Sequence, residues 1–445
     1  MKLLKTVKTL WCNLEEKQKW CAAAIAICFL FQLLYYGVVL DGWTQFPDTE
    51  SYLSFDSMLQ GGRTPVYVLF LWLFSPLKHN MQLFGTMVVL VQSVLSFLCI
   101  PMLFEIVFLM TKRNILSFFI GVFYGCLPGI LNFNYVLLTE SLSISGFVLL
   151  VFLLIKFFQK KTAVLAFSVG LTALVLVLLR PSYLFLIVLL GGFWILWFFL
   201  GDGDMRPKLF GLLGTGLALA GVLLYCGQNY IRNGFFGLSS VVYTNQMCML
   251  VQADALENER YPDISSFAQS AKEASGGDMW AVRDVVWESF PDKYREYVSD
   301  TMSVNFVKFL CDRVERTLAG LQLSFPTCYA QAKFWGVNSA LNEMLFPWSL
   351  MSVIMLVIIE FLYGTFQWVY RKSLCWPGWG LALCTMGIVG TTVLGAQEEW
   401  QRLWSAAIPC ILILLAMDTM RISNLLNRKN SSLSKREKGF RFSWL

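Results

Sequence analysis

QLFGTMVVLVQSVLSFLCIPMLFEIVFLM, residues 82–110, carries a single charge, Glu105, in twenty-nine residues. A helix rising 1.5 Å per residue needs about 20 apolar residues to cross the hydrocarbon core, whereas a barrel strand needs only about 9–11. Lipid cannot hydrogen-bond an open backbone, so a run of this length is predicted to be a spanning helix. Comparable runs lie near 21–40, 115–136, 138–158, 162–179, 181–200, 209–226, 347–370, 379–396 and 403–420. The expected fold is an all-α, multi-span membrane protein, a helical bundle of about ten spans. Composition agrees: 57% hydrophobic and 14% charged residues, with a mean hydropathy of +0.59, exclude a water-soluble globule of 445 residues.

Lysines and arginines orient the chain. Lys2, Lys5, Lys8, Lys17 and Lys19 precede the first span, and alternate connections carry Lys112/Arg113, Lys160/Lys161, Arg206/Lys208 and Arg371/Lys372. The segment after Arg421 adds Arg428, Lys429, Lys435, Arg436, Lys438 and Arg441. By the positive-inside bias both termini are expected in the cytoplasm. The basic N-terminal segment lacks a small-residue cleavage site and reads as an uncleaved anchor. The net charge of +6 then reflects inner-leaflet attraction, and no nucleic-acid module is visible. Opposite connections hold few basic residues: Arg63 and Lys78, then Arg180, then Arg402. A cation kept outside against the bias points to a task, with headgroup anchoring as the competing explanation.

Four regions are expected. Residues 1–226 form an N-terminal transmembrane module whose first outer loop, 41–80, is the active-site candidate. Residues 227–346 form an extracytoplasmic loop domain, mostly helical, in which Val282, Val285, Val286 and Phe290 recur at near-helical spacing. Its opening, YIRNGFFGLSSVVYTNQM, reads as irregular or short-strand structure. Residues 347–420 supply the C-terminal transmembrane helices, and 421–445 a basic cytoplasmic tail without regular structure. Connections as long as 227–346 are commonly lids or binding elements, or else structural caps. The twelve cysteines include no CxxC pair, and those expected outside, Cys248, Cys311 and Cys328, give no disulfide framework. One histidine, His79, and no His/Cys cluster make a zinc site improbable.

Membrane-edge polar residues carry the chemistry. In DGWTQFPDTESYLSFDSMLQGGRTPVY, residues 41–67, Asp48 and Glu50 lie beside the first span. A partly desolvated carboxylate there, its pKa raised toward neutrality, suits a general base on an acceptor hydroxyl or amine. The alternative is a loop acid capping the short helix that starts near Ser51. Arg63 follows two glycines, a context in which backbone can approach a ligand while the planar guanidinium meets a phosphate. The apolar run after it, about eleven residues, is too short to span. Glu140 opens the fourth span, where it either faces a cation or simply caps with Thr139. Arg180, before Pro181, sits at a tight turn between spans. Glu399 and Arg402, three apart on one helical face, either bind a ligand or pair with each other. Glu105 and Lys156 lie toward the cytoplasmic ends and can snorkel, whereas Glu360 has no evident partner.

The chain resembles the membrane-embedded GT-C glycosyltransferases, the superfamily of protein O-mannosyltransferases and the bacterial aminoarabinose transferases that modify lipid A. The resemblance covers about residues 20–420 and rests on PDTESY (47–52), RTPVY (63–67), LLTESLS (137–143), RNGFFGLSS (232–240) and EEWQRLW (398–404) with Pro409. It implies a sugar moved from a polyprenyl-phosphate donor to a glycan, lipid or protein acceptor on the outer face of a bacterial cytoplasmic membrane. Asp48 matches the catalytic acid of the first loop. Arg63, Arg180 and Arg402 fall where basic groups lie near the lipid phosphate, and Glu140 is assigned to acceptor or sugar. Glu50, Tyr52, Tyr67 and Glu399 complete the expected substrate-binding set. The chain lacks a second DxD-type pair and carries PDTE where mannosyltransferases have adjacent acids, so a divalent metal is not supported. Beyond the lipid-linked donor and membrane lipids, no cofactor is expected. The rival reading is a transporter or flippase of a lipid-linked glycan, for which midplane charges and broken helices are the expected signs. A non-catalytic scaffold is the third.

Overall fold

The computed structural model describes residues 14–200, 203–325, 328–371 and 376–437. Lys2, Lys5, Lys8, Lys372, Lys438 and Arg441, used above for orientation, lie outside them. All ten apolar runs are helical, and the protein is an all-α, multi-span membrane protein. Eight helices are long and apolar enough to cross a bilayer: Glu16–Val39, Met81–Thr111, Glu140–Lys160, Pro181–Phe199, Met205–Asn233, Leu350–Tyr370, Pro377–Gly395 and Trp400–Leu426. The remaining two runs differ in kind. Asn114–Cys126 and Pro128–Asn134 meet at 50°, because Pro128 has no N–H to continue the helix and sets Leu127 extended. Ala163–Leu179 has 17 residues and covers about 26 Å, short of a hydrocarbon core of about 30 Å.

Small residues let the helices approach closely. A Cβ on Gly170 would stand 2.3 Å from the Gly214 carbonyl carbon, so Ala163–Leu179 and Met205–Asn233 pack backbone against backbone. Gly85 similarly leaves room for Trp43, whose indole would lie 2.1 Å from an added Cβ. This socket pins the first loop to the Met81–Thr111 helix. At the far end of the bundle, Glu105 pairs with Lys17 and with Lys156 at 2.7 Å, so neither snorkels alone. Glu360 does have a partner: it is 1% exposed and pairs with Arg421, which also meets Asp418 at 2.7 Å.

Three local expectations change. The helix from Met205 runs on to Asn233, closed by Gly234 at φ +70, and Val241–Gln252 is helical too, so the predicted short strands reduce to the bend between them. Among the described residues the only strands are Ser324–Phe325 and Trp348–Ser349, an antiparallel pair. The last helix continues through Arg421 to Glu437 rather than ending in an irregular tail. Leu, Lys, Arg and Glu favour helix, which the compositional reading of that segment overlooked.

The region between the candidate spans that end at Asn233 and begin at Leu350 is mostly helical, with its own core around Met247, Leu250, Val282, Val286, Tyr294 and Tyr297. Val285 does not join it: the buried stripe of Met279–Ser289 is Met279, Val282 and Val286, which leaves Val285 41% exposed. Cys248, Cys311 and Cys328 are unbridged.

Candidate active site at the membrane edge

The first loop is fastened on both sides. Asp41 N–H donates to the Gln331 carbonyl (3.0 Å) and Lys333 N–H to that of Val39 (2.8 Å). Thr44 N–H donates to the Tyr135 carbonyl (2.7 Å), and Leu137 N–H to that of Thr44 (3.1 Å). The buried Thr49 hydroxyl adds a bond to the Leu137 carbonyl at 3.0 Å. Two extended pieces of chain therefore run side by side just before Asp48 and just before Glu140. Gln92 supports them from the membrane, donating to the carbonyls of Asn134 and Val136 at 2.9 and 3.1 Å.

Four distant segments converge here. Arg63 Nη2 meets Asp48 Oδ1 at 2.7 Å, its Nε donates to Ser51 Oγ at 2.7 Å, and its plane lies 4.4 Å from the centre of the Tyr52 ring. Arg402 Nη2 lies 3.4 Å from Asp48 Oδ2 and 3.2 Å from Glu399 Oε2, while its Nε is 3.1 Å from Glu140 Oε1. Arg180 Nη2 approaches the same Glu140 oxygen at 3.3 Å. Phe46 lies beneath the Arg402 guanidinium, 5.1 Å away. Three carboxylates thus face three guanidiniums. Glu140 is 2% exposed and Arg402 8%, so the charges are paired where water is scarce.

The pairing is incomplete. Glu140 Oε2, Arg402 Nε and Arg402 Nη1 are buried without a hydrogen-bond partner among the described residues. For Nε, the 3.1 Å approach to Glu140 is an ion-pair distance in which the N–H does not point at the oxygen. Buried polar atoms left this way suit an incoming ligand. Asp48 occupies the cap of Thr49–Leu53 yet makes no capping bond; its carboxylate is turned to Arg63. Nor does it have the raised pKa expected from desolvation. Burial pushes it up, but Arg63 and Arg402 together outweigh that, leaving it below the usual carboxylate range. Glu399, by contrast, is raised by burial against the pull of Arg402.

Two expected substrate ligands stand apart. Glu50 is exposed on the short helix and makes no ion pair among the described residues. Tyr67 is fully buried and donates to Gln92 Oε1 at 3.0 Å, packing edge-on against Tyr52; it supports the site and does not line it.

Sequence reasoning missed how Arg402 is placed. Three successive carbonyls before its helix accept from extramembrane side chains: Gly395 from Asn245 (3.2 Å), Ala396 from Arg313 (3.5 Å) and Gln397 from Gln252 (3.2 Å). Glu399 then turns through φ +57 into Trp400–Trp404. Arg313 is 1% exposed, with Nη2 donating to Gln252 Oε1 at 2.7 Å, and no motif announces it. Arg313→Ala is expected to lower stability by about 1–3 kcal/mol, the effect of stranding buried polar partners, read as an earlier thermal transition in detergent. A wild-type transition would show that the clasp is not holding the segment.

No family model matches the sequence, and neither does any curated protein. Among solved structures, the chain is similar to the archaeal oligosaccharyltransferase AglB from Archaeoglobus fulgidus, determined in complex with an inhibitory peptide and a dolichol-phosphate. The TM-score is 0.47 at 10% identity, covering 96% of this chain and 53% of that one. The chain thus spans about half the length of that structure.

Proposed function

We propose that this protein transfers a sugar from a polyprenyl-phosphate-linked donor to an acceptor hydroxyl or amine at the outer face of a bacterial cytoplasmic membrane. The observation that carries the reading is the single cluster of Asp48, Arg63, Glu140, Arg180, Glu399 and Arg402 at the bundle's edge, with buried Arg402 donors unsatisfied. The scarcity of basic residues in the connections on this side supports its outward placement, with both termini inside.

The chemistry follows from competition for the guanidiniums. A donor phosphate binding Arg63 and Arg402 draws both from Asp48, and loss of those pairs raises the Asp48 pKa from its depressed resting value. Asp48 is then a stronger base, beside the anomeric carbon. The acceptor oxygen or nitrogen attacks that carbon and its proton passes to Asp48. The bond from carbon to phosphate oxygen breaks, and the electron pair leaves with the prenyl phosphate, held by the arginines. A phosphate is a good leaving group, so no strong general acid is needed. Arg180, 3.3 Å from Glu140, holds that carboxylate in place to orient acceptor or sugar.

Deletion in the source organism is expected to remove one sugar from an envelope glycan, lipid or protein, and the wild-type chain, but not an Asp48→Asn chain, to restore it. Mass spectrometry of released glycans reads the result. Unchanged glycans on deletion, together with movement of a lipid-linked sugar across liposomes by purified protein, would replace transfer with transport.

A further inference from the structure

The region between Asn233 and Leu350 contains a polar cavity, of about 240 Å³, at the meeting of three helices. Arg283 and Trp287, four apart on one face of Met279–Ser289, line one wall. Tyr294 and Arg295 come from the start of the next helix, and Ser240 with Thr244 from Val241–Gln252 and its cap.

Every lining polar side chain carries a donor, and none is acidic. Two donors are buried and unmet among the described residues: Arg283 Nε and the Tyr294 hydroxyl. The other edge of Arg283 is occupied, its Nη2 meeting Asp284 at 2.8 Å. Burial pushes the Tyr294 phenol up, so at neutral pH it remains a donor. Arg295 is held over the Phe235 ring at 5.1 Å with one nitrogen on the Asn233 carbonyl (2.6 Å), its charge fixed in place. Unfilled donors beside two fixed cations call for an oxyanion, and the half-exposed Trp287 indole offers a flat wall for the CH face of a sugar ring. The volume is below the roughly 300 Å³ at which pockets for drug-sized ligands begin, so one sugar unit is the scale.

The cavity adjoins the membrane-edge cluster. Ser240 N–H donates to the Gly61 carbonyl at 2.7 Å, and Ser239 Oγ to that of Gly62 at 2.6 Å. Arg63 is the next residue. Gly61 has φ +70, and a Cβ there would lie 2.6 Å from the Phe235 ring, so the turn packs against the ring over which Arg295 is held.

We propose that this cavity binds a phosphate- or carboxylate-bearing sugar residue. That this sugar belongs to the acceptor rests on the transfer reading above; that the cavity binds it does not.

The test titrates the full chain in nonionic detergent with glucuronate, glucose 6-phosphate, glucose and inorganic phosphate, followed by calorimetry and tryptophan fluorescence. The two anionic sugars are expected to bind at least tenfold more tightly than glucose or inorganic phosphate. Arg283→Gln is expected to weaken them at least tenfold, and Tyr294→Phe, which keeps the ring packing, severalfold. Binding that survives both substitutions overturns the proposal, as does binding lost in Arg63→Gln but kept in Arg283→Gln, which would assign the anion to the membrane edge. Inorganic phosphate binding as tightly as glucose 6-phosphate overturns the sugar half. Should the wild-type chain transfer no sugar in any assay, the transfer reading fails while this measurement still decides the cavity.

Discussion

Arg402→Ala is expected to destabilise the folded protein by about 3–5 kcal/mol, the range for deleting one partner of a buried ion pair. Its guanidinium is the common partner of Asp48, Glu140 and Glu399, and Glu140 has almost no access to water. Without it, Glu140 keeps only Arg180 at 3.3 Å, and Glu399 keeps no ion pair among the described residues. Denaturant unfolding in detergent reads the loss. Combining Arg402→Met with Glu140→Gln should recover part of it, because the stranded charge is gone. If Arg402→Ala unfolds with the wild type, the cluster is not an energetic unit.

Asp48→Asn should lower sugar transfer by about 10²–10⁴-fold, the usual contribution of a general base, while expression and folding persist. Its side chain is 36% exposed, and an amide oxygen can still accept from Arg63. Initial rates with a labelled donor check this, and a variant within a few fold of wild type would remove Asp48 from the chemistry. The same substitution has a signature independent of turnover. Arg63 and Arg402 hold the carboxylate below its unfolded value of about 3.9, so the paired charge stabilises the protein above that pH. The contribution is lost as pH falls through the lower folded value. Melting curves of wild type and Asp48→Asn are therefore expected to differ at neutral pH and to draw together below about pH 4.

The spans were legible because hydropathy over twenty residues is a local property, and all ten runs appear as helices where the sequence places them. Their lengths were less so: the helix beyond Tyr225 leaves the apolar run but keeps its hydrogen bonds to Asn233, where Gly234 stops it. Six ionisable residues singled out in the sequence meet in one cluster, since charges beside a bilayer are few and their chemistry restricts where they can stand. Glu50 and Tyr67 show the limit of that reasoning. Two residues from Asp48, Glu50 points elsewhere because Thr49–Leu53 is helical, and the hydroxyl of Tyr67 is taken by Gln92 from another span. The low pKa of Asp48 was hidden for the same reason, because both cations that set it come from elsewhere in the chain. Arg313 and Gln252 left no trace either: in an amphipathic segment nothing distinguishes an arginine that grips a distant carbonyl from one that faces water.

The three peptide oxygens at 395–397 are grasped by Asn245, Arg313 and Gln252, and the chain then passes through the left-handed Glu399 before reaching Arg402. Two helices, Val241–Gln252 and Phe306–Ala319, consequently set where Arg402 stands through the backbone that leads to it. Under the proposed transfer, an acceptor held among those helices and the arginine that grips the lipid phosphate would share one short stretch of backbone.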